Sequence, residues 1–503
     1  MLGLSALIWG PILAGSLCWL IARRSEQACR NLAILGVLIL TLCLLLLPYQ
    51  SQSLIWFERF NIHFSLHLDG LALLLIALTL GLTLLAVLVS WREITDKTGF
   101  FHFNLMLTLA GINGVFLASD LFLFFFFWEA MLLPMTALIA IWGHENRRYA
   151  AIKFFIFTQA SSLLMLIGIL ALAYLHQGQF GTFSFDFTQL QALPLAPDVE
   201  MWLMLSFFIA FAVKLPSVPF HTWLPDAHTQ APTAGSVLLA GVLLKTGAYG
   251  LLRLVLPLFP NASLEFAPIA ATLGVISILY GALMAFSQSD FKRLVAYSSI
   301  SHMGFILLAA FSWNTLALNG VIVIMVAHGL SSAALFSMAG AIQHRLHSRE
   351  FAMMGGLWQS APKLGAMVLI FVAAGVGLPG LANFIGEFMA LIGSFSHFPV
   401  LTLLAALGLI GSAIYGMHLF QSAFQGTPGA ELPDLSRREL GFSMALVIGL
   451  LVVGLYPNSV LRLTEETVAQ LSQHKSASTI LGSRIGSEGK AIEMQSMKVN
   501  TDD

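Results

Sequence analysis

Six side chains in this sequence are of types that carry protons, and they stand where charge is costly. Glu129 follows the run Phe124-Phe125-Phe126-Phe127-Trp128. It lies nine residues beyond Asp120, which is about 14 Å along a helix and near the middle of a bilayer. Lys214 and Lys245 sit inside long apolar stretches, and Glu387 follows Gly377-Leu378-Pro379-Gly380 within another. His302 and His328 stand nine residues past Arg293 and Asn319, again at mid-membrane depth. An ionised group at that depth costs roughly 2.5–3.5 kcal/mol on insertion scales, so such groups face protein, water or a partner charge. The chemistry they offer is proton transfer. Burial weakens a lysine's hold on its proton and a nearby carboxylate restores it, so a Glu129–Lys214 pair could switch. Histidine titrates near neutrality and suits a relay. The plainer alternatives are a static ion pair for Glu129 with a lysine, and core histidines bonded to a serine or a carbonyl for His302 and His328. His418 has no such context and reads as structural, and Pro134 as a kink.

These side chains need elements to hold them. Of the 503 residues, 58% are hydrophobic and only 10% are charged, against about 25% charged in soluble domains. The formal net charge is -1, and no basic patch dominates. Soluble, disordered and nucleic-acid-binding chains are thereby excluded. What remains is an all-α polytopic membrane protein. Continuous apolar runs, without period-two alternation, exclude a β-barrel. A span needs about 20 apolar residues. Fourteen such stretches occur, at 2–22, 31–48, 70–91, 101–119, 120–142, 151–175, 200–220, 234–258, 267–287, 293–312, 318–342, 364–397, 400–424 and 440–458. The seventh is interrupted by Pro216 and Pro219, and the twelfth by Gly377-Leu378-Pro379-Gly380. Both therefore read as broken helices. Non-helical backbone at that depth is tolerated only against protein or a wet cavity, which suggests water access near Lys214 and Glu387. Residues 49–69 read as an aromatic element lying at the interface, carrying Trp56, Phe57, Phe60 and Phe64. The first stretch is followed by Arg23-Arg24, a stop-transfer pattern rather than a cleavable signal. From about 468 onward the sequence reads as a polar tail.

Basic residues set the orientation. With both termini outside, fifteen of the 24 Lys and Arg residues, Lys292 and Lys153 among them, fall in cytoplasmic loops. Three remain inside spans: Lys214, Lys245 and Arg253. Arg253, near a span end, can snorkel. Gly375-Val376-Gly377-Leu378-Pro379-Gly380 matches a dinucleotide fingerprint in letters, but no strand precedes it, so it is rejected. The three cysteines, Cys18, Cys29 and Cys43, lack the spacing of a zinc or iron–sulfur site. The chain is expected to hold no metal and no redox cofactor of its own.

The broken helices recur at matching places in two five-span units, which points to inverted repeats. The expected division is N-terminal helices over 1–100, repeat one over 101–258, repeat two over 259–425, a last helix over 426–460 and the tail over 461–503.

Several stretches resemble the antiporter-like subunits of respiratory complex I. They are Phe116-Leu117-Ala118-Ser119-Asp120 through Glu129, Ala212-Val213-Lys214-Leu215-Pro216 through Ala227-His228, and Ala231-Pro232-Thr233-Ala234-Gly235-Ser236-Val237. Ser301-His302-Met303-Gly304 and Ala327-His328-Gly329-Leu330 extend the likeness, which covers about residues 1 to 460. Glu387, where sibling subunits tend to carry lysine, resembles the M-type branch. The resemblance implies a proton-translocating membrane-arm subunit in a bacterial inner membrane. Glu129 and Lys214 would be the switching pair, Lys245 the central relay, Glu387 the terminal site, and His302 and His328 relay positions. FMN, iron–sulfur clusters, NADH and quinone would belong to partner subunits. Further partners would be sibling antiporter-like subunits and the lipid bilayer, with no nucleic acid. A subunit of a multisubunit Na+/H+ antiporter, or of a membrane-bound hydrogenase, remains the alternative.

Overall fold

A computed structural model describes residues 3–48, 50–427 and 431–472. Each of the fourteen apolar stretches is helical. The first three helices are α1 (Ala6–Ile21), α2 (Glu26–Leu46) and α3 (Gly70–Glu93). Next come α4 (Thr98–Leu117), α5 (Leu121–Trp142) and α6 (Arg147–Phe180). The seventh stretch is α7 (Pro197–Lys214) followed, after the proline-bearing break, by α8 (Trp223–Gln230). The eighth is α9, Thr233–Leu258, which carries π-helical turns at Leu239–Leu243 and Leu251–Val255. Then follow α10 (Pro260–Phe286), α11 (Phe291–Ala310) and α12 (Thr315–Leu346). The twelfth stretch is α13 (Pro362–Val376) and α14 (Ala382–Phe395), and the last two are α15 (Pro399–Phe424) and α16 (Arg437–Leu455). The chain is thus an all-α multi-pass membrane protein.

Helix starts are written in the sequence. Asp69, Asp120 and Asp290 cap α3, α5 and α11, each accepting backbone N–H bonds of the first turn. Acidic caps suit the positive end of the helix dipole. Glu200 on α7, a buried carboxylate, is explained in the same way. It accepts the Asn261 and Ala262 amides at 2.8 and 3.0 Å and so caps α10. The second break is set by Gly377, whose φ of 83° ends α13 in the left-handed region, where glycine has no penalty.

Two stretches lie outside these spans. The element expected to lie at the interface over 49–69 holds an antiparallel hairpin, β1 (Ser51–Phe57) and β2 (Ile62–His67), turned at Asn61 in the left-handed region. β2 alternates apolar and polar residues, Ile-His-Phe-Ser-Leu-His, which is a strand period. At the end, residues 458–472 are helical. Val468 and Leu471 are buried there, and Gly70 abuts Leu463 so closely that a Cβ would lie 1.5 Å from its carbonyl oxygen. The polar tail expected from 461 therefore begins as a packed helix, and 473–503 lie outside the described residues.

The core is a layer of three helices sheathed by the rest. In α9, α11 and α12, 94% of the apolar window is buried, against 28% in α2 and 33% in α15. The covered helices carry Lys245, His302 and His328, so these groups meet protein and not lipid.

Candidate functional site

Lys245 lies in the α9 segment between the two π turns and is fully buried. Its Nζ donates to the Ala240 carbonyl at 2.5 Å and to His328 Nδ1 at 2.6 Å. The Ala240 carbonyl belongs to the first π turn. Turns of this kind cluster at functional sites. The His328 and His302 rings are 5.5 Å apart, centroid to centroid. His302 Nδ1 meets Glu387 Oε1 at 2.6 Å, with both side chains buried. Tyr415, from α15, places its hydroxyl 3.1 Å from His302 Nε2. Four of the six expected residues thus form one buried line from α9 through α12 and α11 to α14. His302 and His328 are bonded to titratable side chains, so the serine-or-carbonyl alternative does not describe them.

The other two residues are arranged differently. Lys214, the last residue of α7, is fully buried, yet its Nζ has no hydrogen-bond partner among the described residues. It lies 5.3 Å from the Trp128 ring and 5.5 Å from that of Phe154, a placement that favours a cation by the ring quadrupole. Glu129 forms no ion pair with it. Glu129 is half-buried and accepts a short hydrogen bond from Ser162 of α6. It remains the acidic group whose field reaches Lys214. The phenylalanine run before it divides by helix phase. Phe124 and Phe127 are buried, while Phe126 is 46% exposed.

The Lys/Arg tally misplaces one residue. Lys292, counted in a cytoplasmic loop, is fully buried in the first turn of α11 and donates to the Ala231 carbonyl at 2.6 Å. Arg349 donates to the Thr229 carbonyl. Both cations thus satisfy open carbonyls at the C-terminal end of α8, where the helix dipole favours positive charge. Beside them His228 is buried, stacked on Phe336 at 4.4 Å, and neither ring nitrogen has a hydrogen-bond partner among the described residues. The charges of Lys292 and Lys245 both act on it. Arg253 does reach the membrane edge, pairing with Asp69 at 2.9 Å. His418 packs on Phe286 and Phe351, in keeping with its structural reading. In the loop between α5 and α6, burial and the nearby Lys292 and Arg349 charges push His144 down to about 3.

Sequence reasoning missed Ser162, Tyr415 and the burial of Lys292. A serine and a tyrosine in apolar spans carry no signal until their partners are known. Lys292 follows Asp290 and precedes Arg293, which looks like any charged loop. Among the described residues no three His, Cys, Asp or Glu side chains converge as metal ligands. Gly377 and Gly380 lie in the break between α13 and α14, and Gly375 lies within α13.

Comparison with known proteins places the chain in one family. The family described as NADH:quinone oxidoreductase/Mrp antiporter, transmembrane, matches residues 118–414. NADH-quinone oxidoreductase subunit M of Pseudomonas aeruginosa is 49% identical, covering 95% of this chain and 99% of the relative. A chain of respiratory complex I from Thermus thermophilus superposes with a TM-score of 0.86 at 31% identity, covering 94% of this chain and 99% of that one. A chain of the Mrp complex from Dietzia shares the fold at a TM-score of 0.80 and 20% identity, covering 93% of this chain and 97% of that one. This chain belongs to the family of NADH:quinone oxidoreductase and Mrp antiporter transmembrane subunits.

Proposed function

We propose that this chain is the M-type, proton-translocating membrane-arm subunit of an NADH:quinone oxidoreductase, set in a bacterial inner membrane beside sibling antiporter-like subunits. The observation that carries this reading is the buried line Lys245–His328–His302–Glu387, bonded at 2.6 Å at both ends. The P. aeruginosa subunit, at 49% identity over nearly its whole length, favours this reading over an Mrp antiporter, whose likeness at 20% is one of fold.

In this reading, electrons pass from NADH to quinone through FMN and iron–sulfur clusters in partner subunits. This chain holds neither cofactor nor metal and moves protons only. Lys214 takes up a proton under the influence of Glu129, Lys245 receives it at the centre, and His328 and His302 pass it to Glu387 for release. Two inverted units, 101–258 and 259–425, contribute the two halves of the path. Paired features support the division. Leu121 donates to the Phe185 carbonyl and Phe187 to that of Ser119. Phe291 likewise donates to Arg349 and Phe351 to Ser289. Both termini lie on the periplasmic side, as the basic residues favour.

The test is reconstitution of the whole complex into vesicles, with pH-sensitive and Na+-sensitive dyes read together during NADH oxidation. The expected result is a proton signal that Lys214→Ala abolishes in normally assembled complex, with no Na+ signal. A Na+ signal that Lys214→Ala removes would turn the reading toward the antiporter.

A further inference from the structure

Between the two histidines of the line is a break. His328 Nε2 is buried and has no hydrogen-bond partner among the described residues. The His302 and His328 rings are tilted by 58° and do not bond to each other. Both rings line a cavity of about 20 Å³, whose other polar lining includes Ser298, Ser331 and Tyr415 among mostly apolar side chains. A site needs about 10–15 Å³ on this measure, and two to four polar partners, to hold one water. This one has the room and the partners for a single molecule.

The bonds on either side fix which way each group is turned. Lysine as ammonium is a donor only, so His328 Nδ1 accepts from Lys245 and the ring's own proton sits on Nε2, facing the cavity. A carboxylate is an acceptor only, so His302 Nδ1–H donates to Glu387 and His302 Nε2 must accept. The hydroxyl in place to donate to it is that of Tyr415, at 3.1 Å.

We propose that Tyr415 is an in-line member of the relay, and that protons cross from His328 to His302 through one water and the Tyr415 hydroxyl. Each group gives one proton and gains one. Lys245 passes a proton to His328 Nδ1, and His328 Nε2 releases one to the water. The water gives a proton to the phenol oxygen while the phenol gives its own to His302 Nε2. His302 Nδ1 then protonates Glu387. No charge rests on the tyrosine, because gain and loss occur together. The groups facing Tyr415 that can titrate are His302 from α11, His328 from α12 and Glu387 from α14; α13 brings only Val372, Gly375 and Val376 to this cavity.

This inference rests on the proposed proton relay, and the experiment separates the two. NADH-driven proton uptake is measured in vesicles holding the whole complex, in H2O and D2O, for wild type, Lys245→Ala and Tyr415→Phe. With normal assembly, Tyr415→Phe is expected to slow proton translocation about tenfold, the upper end for one hydrogen bond between neutral groups. It is also expected to enlarge the solvent isotope effect, which lost packing alone would leave unchanged. Unchanged rate and isotope effect in Tyr415→Phe, with Lys245→Ala inactive, overturn the role of Tyr415 and leave the relay standing. Full activity in Lys245→Ala overturns both. If Tyr415→Phe does not assemble, 3,5-difluorotyrosine at position 415 keeps the ring and a more acidic hydroxyl. The rate must then move by about twofold or more, and an unchanged rate overturns the proposal.

Discussion

The two broken helices hold their titratable groups in opposite ways. At the first, Lys214 ends α7 with aromatic rings around it and no hydrogen bond, and Glu129 is bonded to a serine. At the second, Glu387 is gripped by His302, which is gripped in turn by Tyr415. A group without fixed partners gains or loses charge with little rearrangement. Glu387, with Oε1 bonded to His302 and Oε2 without a partner among the described residues, has its protonation tied to that one neighbour. The difference teaches that the same backbone device, a helix interrupted at depth, can hold a titratable group either without hydrogen bonds or within them; in the proposed path these would be a receptive and a retaining end.

That contrast can be broken by substitution. The largest effect is expected at the receptive end: Lys214→Ala should lower NADH-driven proton translocation about a hundredfold, the scale of a lost acid–base group. Near-normal translocation by assembled complex would mean that Lys214 only packs. At the retaining end, Glu387→Gln should cost about tenfold and Glu387→Asp only a few-fold, since aspartate still ionises. Equal rates in the two variants would make Glu387 structural. Ser162→Ala removes the partner of Glu129 and should slow translocation about fivefold, through a bond worth about 1 kcal/mol; a quantitative pH-dye assay reads this. Gly377→Ala tests the second break itself. At a φ of 83° it should lower thermal stability of the purified complex by about 1 kcal/mol, and a Tm no lower than wild type would remove the left-handed cap from the argument.

The smallest effect is on acid stability. Burial and neighbouring cations hold His144 near 3, so the unfolded chain binds its proton first, at about 6.5. The contribution of His144 is therefore whole above 6.5 and is lost as pH falls from 6.5 toward 3. His144→Gln should flatten the loss of Tm in that window and leave Tm at pH 8 nearly unchanged. A parallel fall in both proteins would show that His144 titrates normally.

Much of this was legible in the sequence, for physical reasons. Spans are long because the bilayer is thick, and both breaks carry proline or glycine because little else interrupts an apolar helix. Lys214, Lys245 and Glu387 stand out because charge is rare at that depth. Three things were hidden. The burial of Lys292 depends on the C-terminal end of α8 lying against it, a meeting of segments sixty residues apart. Tyr415 is ordinary in an apolar helix until His302 is seen opposite. The separation of Glu129 from Lys214 follows from helix phase and the competing hydroxyl of Ser162, neither of which spacing along a chain reveals.

The widened turns of α9 carry a final consequence. Each inserts the equivalent of one residue, so the segment bearing Lys245 is out of step with an unbroken spiral running between the same two ends. Excising one residue from Leu239–Leu243 would rewind that segment by about 100° and swing the amine away from His328 while both Lys245 and His328 stayed in the chain. A pump of this build can thus be silenced by a change of angle alone.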